Sequence, residues 1–193
     1  MSLTPSTMME LGTKAPNFAL PDVQTGETVS LDDFAEKDVL LVVFMCAHCP
    51  YVKLVESELA AIGRDFQSRS FGMVAISAND AENYPDDTPP KLKEQADRLD
   101  FSFPYLYDET QKTAQAYRAA CTPDIYLFNT QHELVYRGQL DDARPGNGKP
   151  VTGENLRNAI ECLFEGKTIP EQQVPATGCN IKWKPGNEPD YFN

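Results

Sequence analysis

Cys46 and Cys49 stand two residues apart in the stretch "VFMCAHCPYVK", with Ala47 and His48 between them and Pro50 directly after. Sulfurs at this spacing suit three roles. At the start of a helix they can pass a disulfide between them, because the unpaired N–H groups and the positive dipole end favour thiolate over thiol. They can form half of a metal site, although neither a second C-x-x-C nor a histidine pair accompanies them. They can also be small core residues. The redox role fits the setting best. On that reading Cys46 is the exposed thiol with a depressed pKa, Cys49 resolves the mixed disulfide, and His48 donates to or charge-stabilises the thiolate. Pro50 is tolerated in the first turn of a helix.

Other residues join this list by position. Thr122-Pro123 stands directly before the apolar run "DIYLF", where proline can open a strand or make a plain turn. Cys121 precedes that pair and is either a core thiol or an auxiliary redox thiol near the C-x-x-C. Cys179 sits in a Pro- and Gly-rich tail, where packing gives little reason for a cysteine, so it is a second auxiliary redox candidate. Cys162, between Ile160 and Leu163, reads as core packing. His132 reads as a turn residue. "RPGNGKP" lacks the spacing of a phosphate loop and reads as a plain loop. Trp183, with Ile181, is expected to anchor the tail.

The elements that must position these groups follow from apolar periodicity. "VLLVVFM" and "FGMVAISA" are continuous apolar runs, as expected of strands buried on both faces. Val52, Val55, Leu59 and Ile62 between them follow helical spacing, which completes a right-handed βαβ unit. "NDAENYPDDTPP" reads as a polar loop, "KLKEQADRL" as a helix, "FPYLYD" as a short strand and "QKTAQAYRAA" as a helix. "DIYLFN" and "ELVYRGQL" form a hairpin with "TQH" at its turn. "GENLRNAIECLFEG" is a last helix with Gly166 as its C-cap. "APNFALPDVQTGETVSLDDF" reads as an added N-terminal hairpin with "TG" at its turn.

Composition narrows the class. The chain has 193 residues and a net charge of −12. That length suits one domain, and that charge disfavours nucleic-acid partners, which need clustered Lys and Arg. No apolar run approaches the ~20 residues of a membrane span. The opening "MSLTPSTMMELGTK" has no signal-peptide pattern, which implies a cytoplasmic, reducing setting.

With strand, C-x-x-C, helix and "CTPD" in place, the sequence resembles the thioredoxin superfamily. More closely, "GTKAPNFALPDVQTGETVSLDDF", "CAHCPYVK", "YRGQLDDARPGNGKPVTGENL" and "GCNIKWKPGN" are similar to the peroxiredoxin-like subgroup of the alkyl hydroperoxide reductase and thiol-specific antioxidant (redoxin) group. The resemblance implies an α/β thioredoxin-like fold: a central mixed sheet flanked by helices, with an N-terminal hairpin, a helical insertion and an extended C-terminal tail. It implies a redoxin domain over 1–165 with the tail, 166–193, packed on it. It also implies a cis Thr122-Pro123 bond beside Cys46 and Cys49, with Thr122 and Pro123 receiving the substrate. The implied activity is thiol–disulfide oxidoreduction on protein or small-molecule thiols and disulfides, with no cofactor. The alternatives are a thiol-dependent peroxidase and a metal-binding chaperone. The chain departs from the peroxiredoxin pattern: Cys46 stands at the Thr position, Val42 at the Pro position, and "CTPD" where an arginine is expected. The 13 residues from Gly166 to Cys179 can span roughly 45 Å when extended. That reach lets "TGCNIKWKPG" return toward Cys46, Cys49 or Cys121.

Overall fold

The computed structural model describes residues 3–192. In chain order it lays down β1 (Leu3–Pro5), the hairpin β2 (Ala19–Pro21) and β3 (Thr28–Ser30), then β4 (Val39–Phe44), α1 (Pro50–Phe66) and β5 (Phe71–Ser77). The insertion carries α2 (Pro89–Leu99), followed by β6 (Tyr105–Tyr107) and the short α3 (Lys112–Ala116). Then come β7 (Cys121–Thr122), β8 (Asp124–Phe128), β9 (Leu134–Tyr136), α4 (Glu154–Phe164) and β10 (Thr177–Asn180).

The central sheet has the order β6-β5-β4-β8-β9. β4, β5 and β6 run parallel, while β8 pairs antiparallel with β4 and with β9. This is the mixed sheet of a thioredoxin-like fold. The unbroken apolar run of β4 is explained by burial on both faces. Leu41, Val43 and Met45 pack toward Val52, Leu59 and Ile62 of α1 and Leu156 and Ile160 of α4. Leu40, Val42 and Phe44 join Phe34, Tyr117, Tyr126, Phe128, Ile181 and Trp183 on the other face. Trp183 and Ile181 therefore bury tail residues in the second core layer.

A second sheet was not foreseen. Its order is β1-β10-β7, all antiparallel, so the tail is clasped between the N-terminal strand and the strand before Pro123. Two expected elements differ in extent, and one residue in burial. β9 stops at Tyr136, and the next backbone N–H, that of Arg137, goes to Gln173 Oε1 at 2.7 Å. α3 ends early because Tyr117 enters the core and Arg118 adopts φ 50. Cys162 is half-buried on α4 rather than a full core residue, and it lines a cleft with Tyr136, Ile169 and Val174. His132 lies in the hairpin turn with φ 53. Among the described residues no helix is long and apolar enough to cross a membrane.

Arg137 is fully buried. Its Nη2 meets Asp124 Oδ2 at 3.1 Å, the Arg118 carbonyl at 3.0 Å and Thr7 Oγ1 at 3.1 Å, and its guanidinium lies 4.3 Å from the Tyr126 ring centre. It thereby ties β8 to the N-terminal segment and to the turn after α3. Removing one partner of a buried pair strands the other charge. Arg137→Met should therefore lower the unfolding free energy by ~3–5 kcal/mol, read from urea denaturation. A loss within ~0.5 kcal/mol, the range of ordinary surface changes, would show that Arg137 is not a structural tie.

Candidate active site

β4 delivers the chain to Cys46, and α1 begins immediately after Cys49. Cys49 is the N-cap of α1, with extended backbone (φ −65, ψ 125) and Pro50 at the first helical position. Proline suits that position because its missing N–H is one the helix leaves unpaired in any case. Both thiols are fully buried, so Cys46 is not the more exposed of the two.

The loop between them is shaped by a residue the sequence did not single out. Asp87, from the polar loop before α2, is fully buried. Its Oδ1 accepts the backbone N–H groups of Ala47 (2.9 Å) and His48 (3.1 Å). Its Oδ2 lies 2.5 Å from His48 Nδ1 and accepts Asn79 Nδ2 at 2.7 Å. Burial works against the charge of Asp87, but His48, Asn79 and the Ala47 N–H outweigh it and hold the carboxyl below its ordinary value. In return the hydrogen bond to Asp87 raises His48 above its ordinary 6.5, against partial burial. Tyr84 stacks on the imidazole, ring centres 5.9 Å apart. Behind the loop, Gln95 of α2 donates to the Cys46 carbonyl at 3.4 Å and to Glu56 at 2.8 Å, and it accepts the Tyr105 hydroxyl.

The two sulfurs are not equivalent, and their order reverses the expectation. Burial pushes the Cys46 thiol well up, helped by its hydrogen bond to Cys49 and by the nearby Asp87 carboxylate. The same Cys46 hydrogen bond, now stabilising an acceptor, pulls Cys49 down to about 4. Burial opposes that fall, while Cys179, Thr122 and the Val52 N–H at the helix start add to it. Position explains the difference: Cys49 has donors around its sulfur, Cys46 first among them and the Val52 N–H last, whereas Cys46 is buried with a carboxylate nearby. As a thiol, Cys49 donates to the Thr122 carbonyl at 3.3 Å. Cys46 Sγ lies 3.5 Å from Thr122 Oγ1 and 4.0 Å from His48 Nδ1.

Thr122 stands beside both sulfurs, and its peptide bond to Pro123 is cis, as the resemblance implies. The edge of β7 is nevertheless already occupied. β10 pairs with it antiparallel, Cys179 opposite Thr122 and Asn180 opposite Cys121. Cys179 reaches the site, where its thiol hydrogen-bonds Cys49 and is itself pushed up to about 12, first by burial. Cys121 is buried with its thiol on the Pro123 carbonyl at 3.6 Å, and burial and the Asp124 carboxylate push it well up. Cys46 Sγ, His48 Nδ1 and an Asp87 oxygen lie within 4.8 Å of one another, close enough to hold a metal ion. Asp87, Asn79 and Gln95 carried no spacing signal. Only the density of acids in "NYPDDTPP" hinted at one of them.

Residues 11–137 match the profile of the AhpC/TSA family. A Mycobacterium tuberculosis protein carrying a provisional peroxiredoxin name is 28% identical over 124 residues, 64% of this chain and 73% of that one. The crystal structure of an uncharacterized conserved protein from Geobacillus kaustophilus shares 50% identity over 96% of this chain and 98% of its own, with a TM-score of 0.94. The thioredoxin domain of a thiol-disulfide oxidoreductase from Bacteroides vulgatus superposes with a TM-score of 0.60 at 21% identity, over 80% of this chain and 97% of that one. The last is a likeness of fold.

Two outcomes follow from the charges. Alkylation followed against pH should keep a fast thiol below neutral pH in Cys46→Ser and lose it in Cys49→Ser; the opposite pattern would return the acidic role to Cys46. The His48–Asp87 pair should stabilise the fold over a pH window. Its acid limit is Asp87, whose lowered pKa makes its contribution present above ~3.9 and lost as pH falls through the folded value. Its alkaline limit is His48, whose raised pKa makes its contribution full below ~6.5 and lost as pH rises through the folded value. Asp87→Asn should lower the His48 midpoint in an NMR titration. An unmoved midpoint would mean that the pair does not set it.

Proposed function

From the premise that the chain belongs to the AhpC/TSA family, we propose that Cys46 and Cys49 are the redox centre of a thiol–disulfide oxidoreductase in which Cys49 is the reacting thiolate. One observation carries this reading: Cys49 caps α1 with thiol, hydroxyl and N–H donors around its sulfur, and a second thiol stands beside it. The Cys49 thiolate attacks one sulfur of a substrate disulfide, and the other sulfur leaves as a thiolate that takes up a proton. The Cys46 thiol then loses its proton and attacks the Cys49 sulfur, and the second substrate thiolate departs with a proton. The centre is left as a Cys46–Cys49 disulfide and the substrate as two thiols. The His48 ring lies 4.0 Å from Cys46 Sγ, and in its protonated form, which Asp87 favours, it stabilises the Cys46 thiolate when it attacks. Thr122 orients both sulfurs.

The burial of both sulfurs favours a second reading in which a hydroperoxide is the oxidant. The Cys49 thiolate takes the terminal peroxide oxygen with its hydrogen and becomes a sulfenic acid, the O–O bond breaks, and the alkoxide leaves and takes up a proton from solvent to become an alcohol. The Cys46 thiol condenses with the sulfenic acid, and water leaves. Both readings suit a cytoplasmic setting that keeps thiols reduced, and both take thiols or disulfides as partners.

Reduction of insulin disulfides and consumption of cumene hydroperoxide with dithiothreitol as donor separate the two. Cys49→Ser should lower the supported activity by at least ~10²-fold, the scale of losing a nucleophile. Cys46→Ser should accumulate a mixed disulfide or sulfenic acid on Cys49. If both variants keep full activity in both assays, the dithiol reading fails, and metal content after purification then tests the Cys46–His48–Asp87 cluster.

A further inference from the structure

A polypeptide that presents a cysteine to Cys49 meets Thr122, whose carbonyl lies 3.3 Å from that sulfur. The edge of β7 beside Thr122 borders both active-site sulfurs, and β10 is paired on it. The tail is held there by a dense set of bonds. Asn79 Oδ1 accepts the Lys182 N–H at 2.8 Å, while Asn79 Nδ2 serves Asp87. Gln111, fully buried, donates to the Lys182 carbonyl at 2.9 Å and accepts the Lys184 N–H at 2.8 Å. β1 closes the other edge, with Leu3 opposite Cys179.

Gly178 makes the fit possible. A Cβ there would stand 2.0 Å from the Thr122 carbonyl oxygen, a backbone atom that cannot step aside cheaply. Only glycine lets the strand approach β7 closely enough to set the Cys179 thiol on Cys49. The remaining thiols are placed otherwise. Cys121 bonds the Pro123 carbonyl, and Cys162 lies on α4 in the cleft beside Tyr136.

We propose that β10 is an internal substrate strand whose Cys179 exchanges disulfides with Cys49. The proposal deepens the dithiol reading and rests on it. In the oxidised chain, Cys179 gives up its proton and its sulfur attacks the Cys49 sulfur. The Cys46–Cys49 bond breaks, the Cys49–Cys179 bond forms, and Cys46 leaves as a thiolate that takes up the proton. The exchange is electron-neutral. It returns Cys46 to a thiol and fastens the tail covalently across the site, so an extended protein substrate finds the β7 edge shut.

Peptide mapping of the full chain after glutathione disulfide treatment tests this. In Cys46→Ser, the Cys49 thiolate takes a glutathionyl group and releases glutathione thiolate. Cys179 should then displace the second glutathione, giving a Cys49–Cys179 cross-link in most molecules. Adding Gly178→Ala should cut that cross-link about tenfold or more, as when an intramolecular partner leaves its seat. A Cys46→Ser chain that stays glutathionylated at Cys49 with Cys179 freely alkylated overturns the proposal, without need of the Gly178 variant. If in addition the wild-type chain forms a Cys46–Cys49 disulfide, the dithiol centre stands and only the internal-substrate role falls. If Cys49 takes no glutathione at all, both fall.

Discussion

A carboxylate taken out of water is tolerated only when its lone pairs are filled. Asp87 is such a group, and the site is organised around its needs. Four donors converge on it: the N–H groups of Ala47 and His48, the His48 ring and Asn79. Two of them are backbone groups of the very loop that separates the sulfurs, so the carboxylate sets the path of that loop. Through Asn79 the same group is tied to Lys182 and hence to the tail. Strand, insertion and tail meet at one charge, and none of the three would hold the same course without it.

The asymmetry between the sulfurs follows first from burial, which raises Cys46, and from the Cys46 hydrogen bond, which lowers Cys49; the Asp87 charge adds to the rise of Cys46. Cys46 shares its surroundings with Asp87, and Cys49 turns toward the start of α1. The Asp87 carboxylate raises Cys46, while the Cys46, Cys179 and Thr122 side chains and the Val52 N–H lower Cys49. Once Cys49 carries the negative charge, Cys46 is the natural donor to it, which reinforces the difference. Within the AhpC/TSA family frame this puts the acidic sulfur at the helix cap, the second position of the motif.

Much of the frame was legible. β4 and β5 were readable because strands covered on both faces need unbroken apolar runs, and α1 because Val52, Val55, Leu59 and Ile62 repeat at helical spacing. Which cysteine is acidic turned on where α1 begins. Pro50 held that information, since proline at the first helical position makes the residue before it the cap, but the C-x-x-C spacing drew attention to Cys46 instead. Asp87, Asn79 and Arg137 were not legible. Their segments have the composition of solvated loops, and burial came from packing between distant parts of the chain, which local pattern does not encode. β10 was hidden for a similar reason: four residues, two of them glycine and asparagine, become a strand only because edges on β1 and β7 await them.

That sandwiching of β10 sets the order in which the protein can be completed. A chain emerges from the ribosome N-terminus first, so β4, α1 and β7 are made long before residues 177–184. Until then Asn79 and Gln111 lack the Lys182 groups they bind, and β1 and β7 have no strand between them. Before β10 is made, the β7 edge beside Cys49 has no strand on it, and Cys49 lacks the Cys179 donor. Synthesis of residues 177–184 supplies the strand that covers the β7 edge, so the order of synthesis sets when that edge is covered.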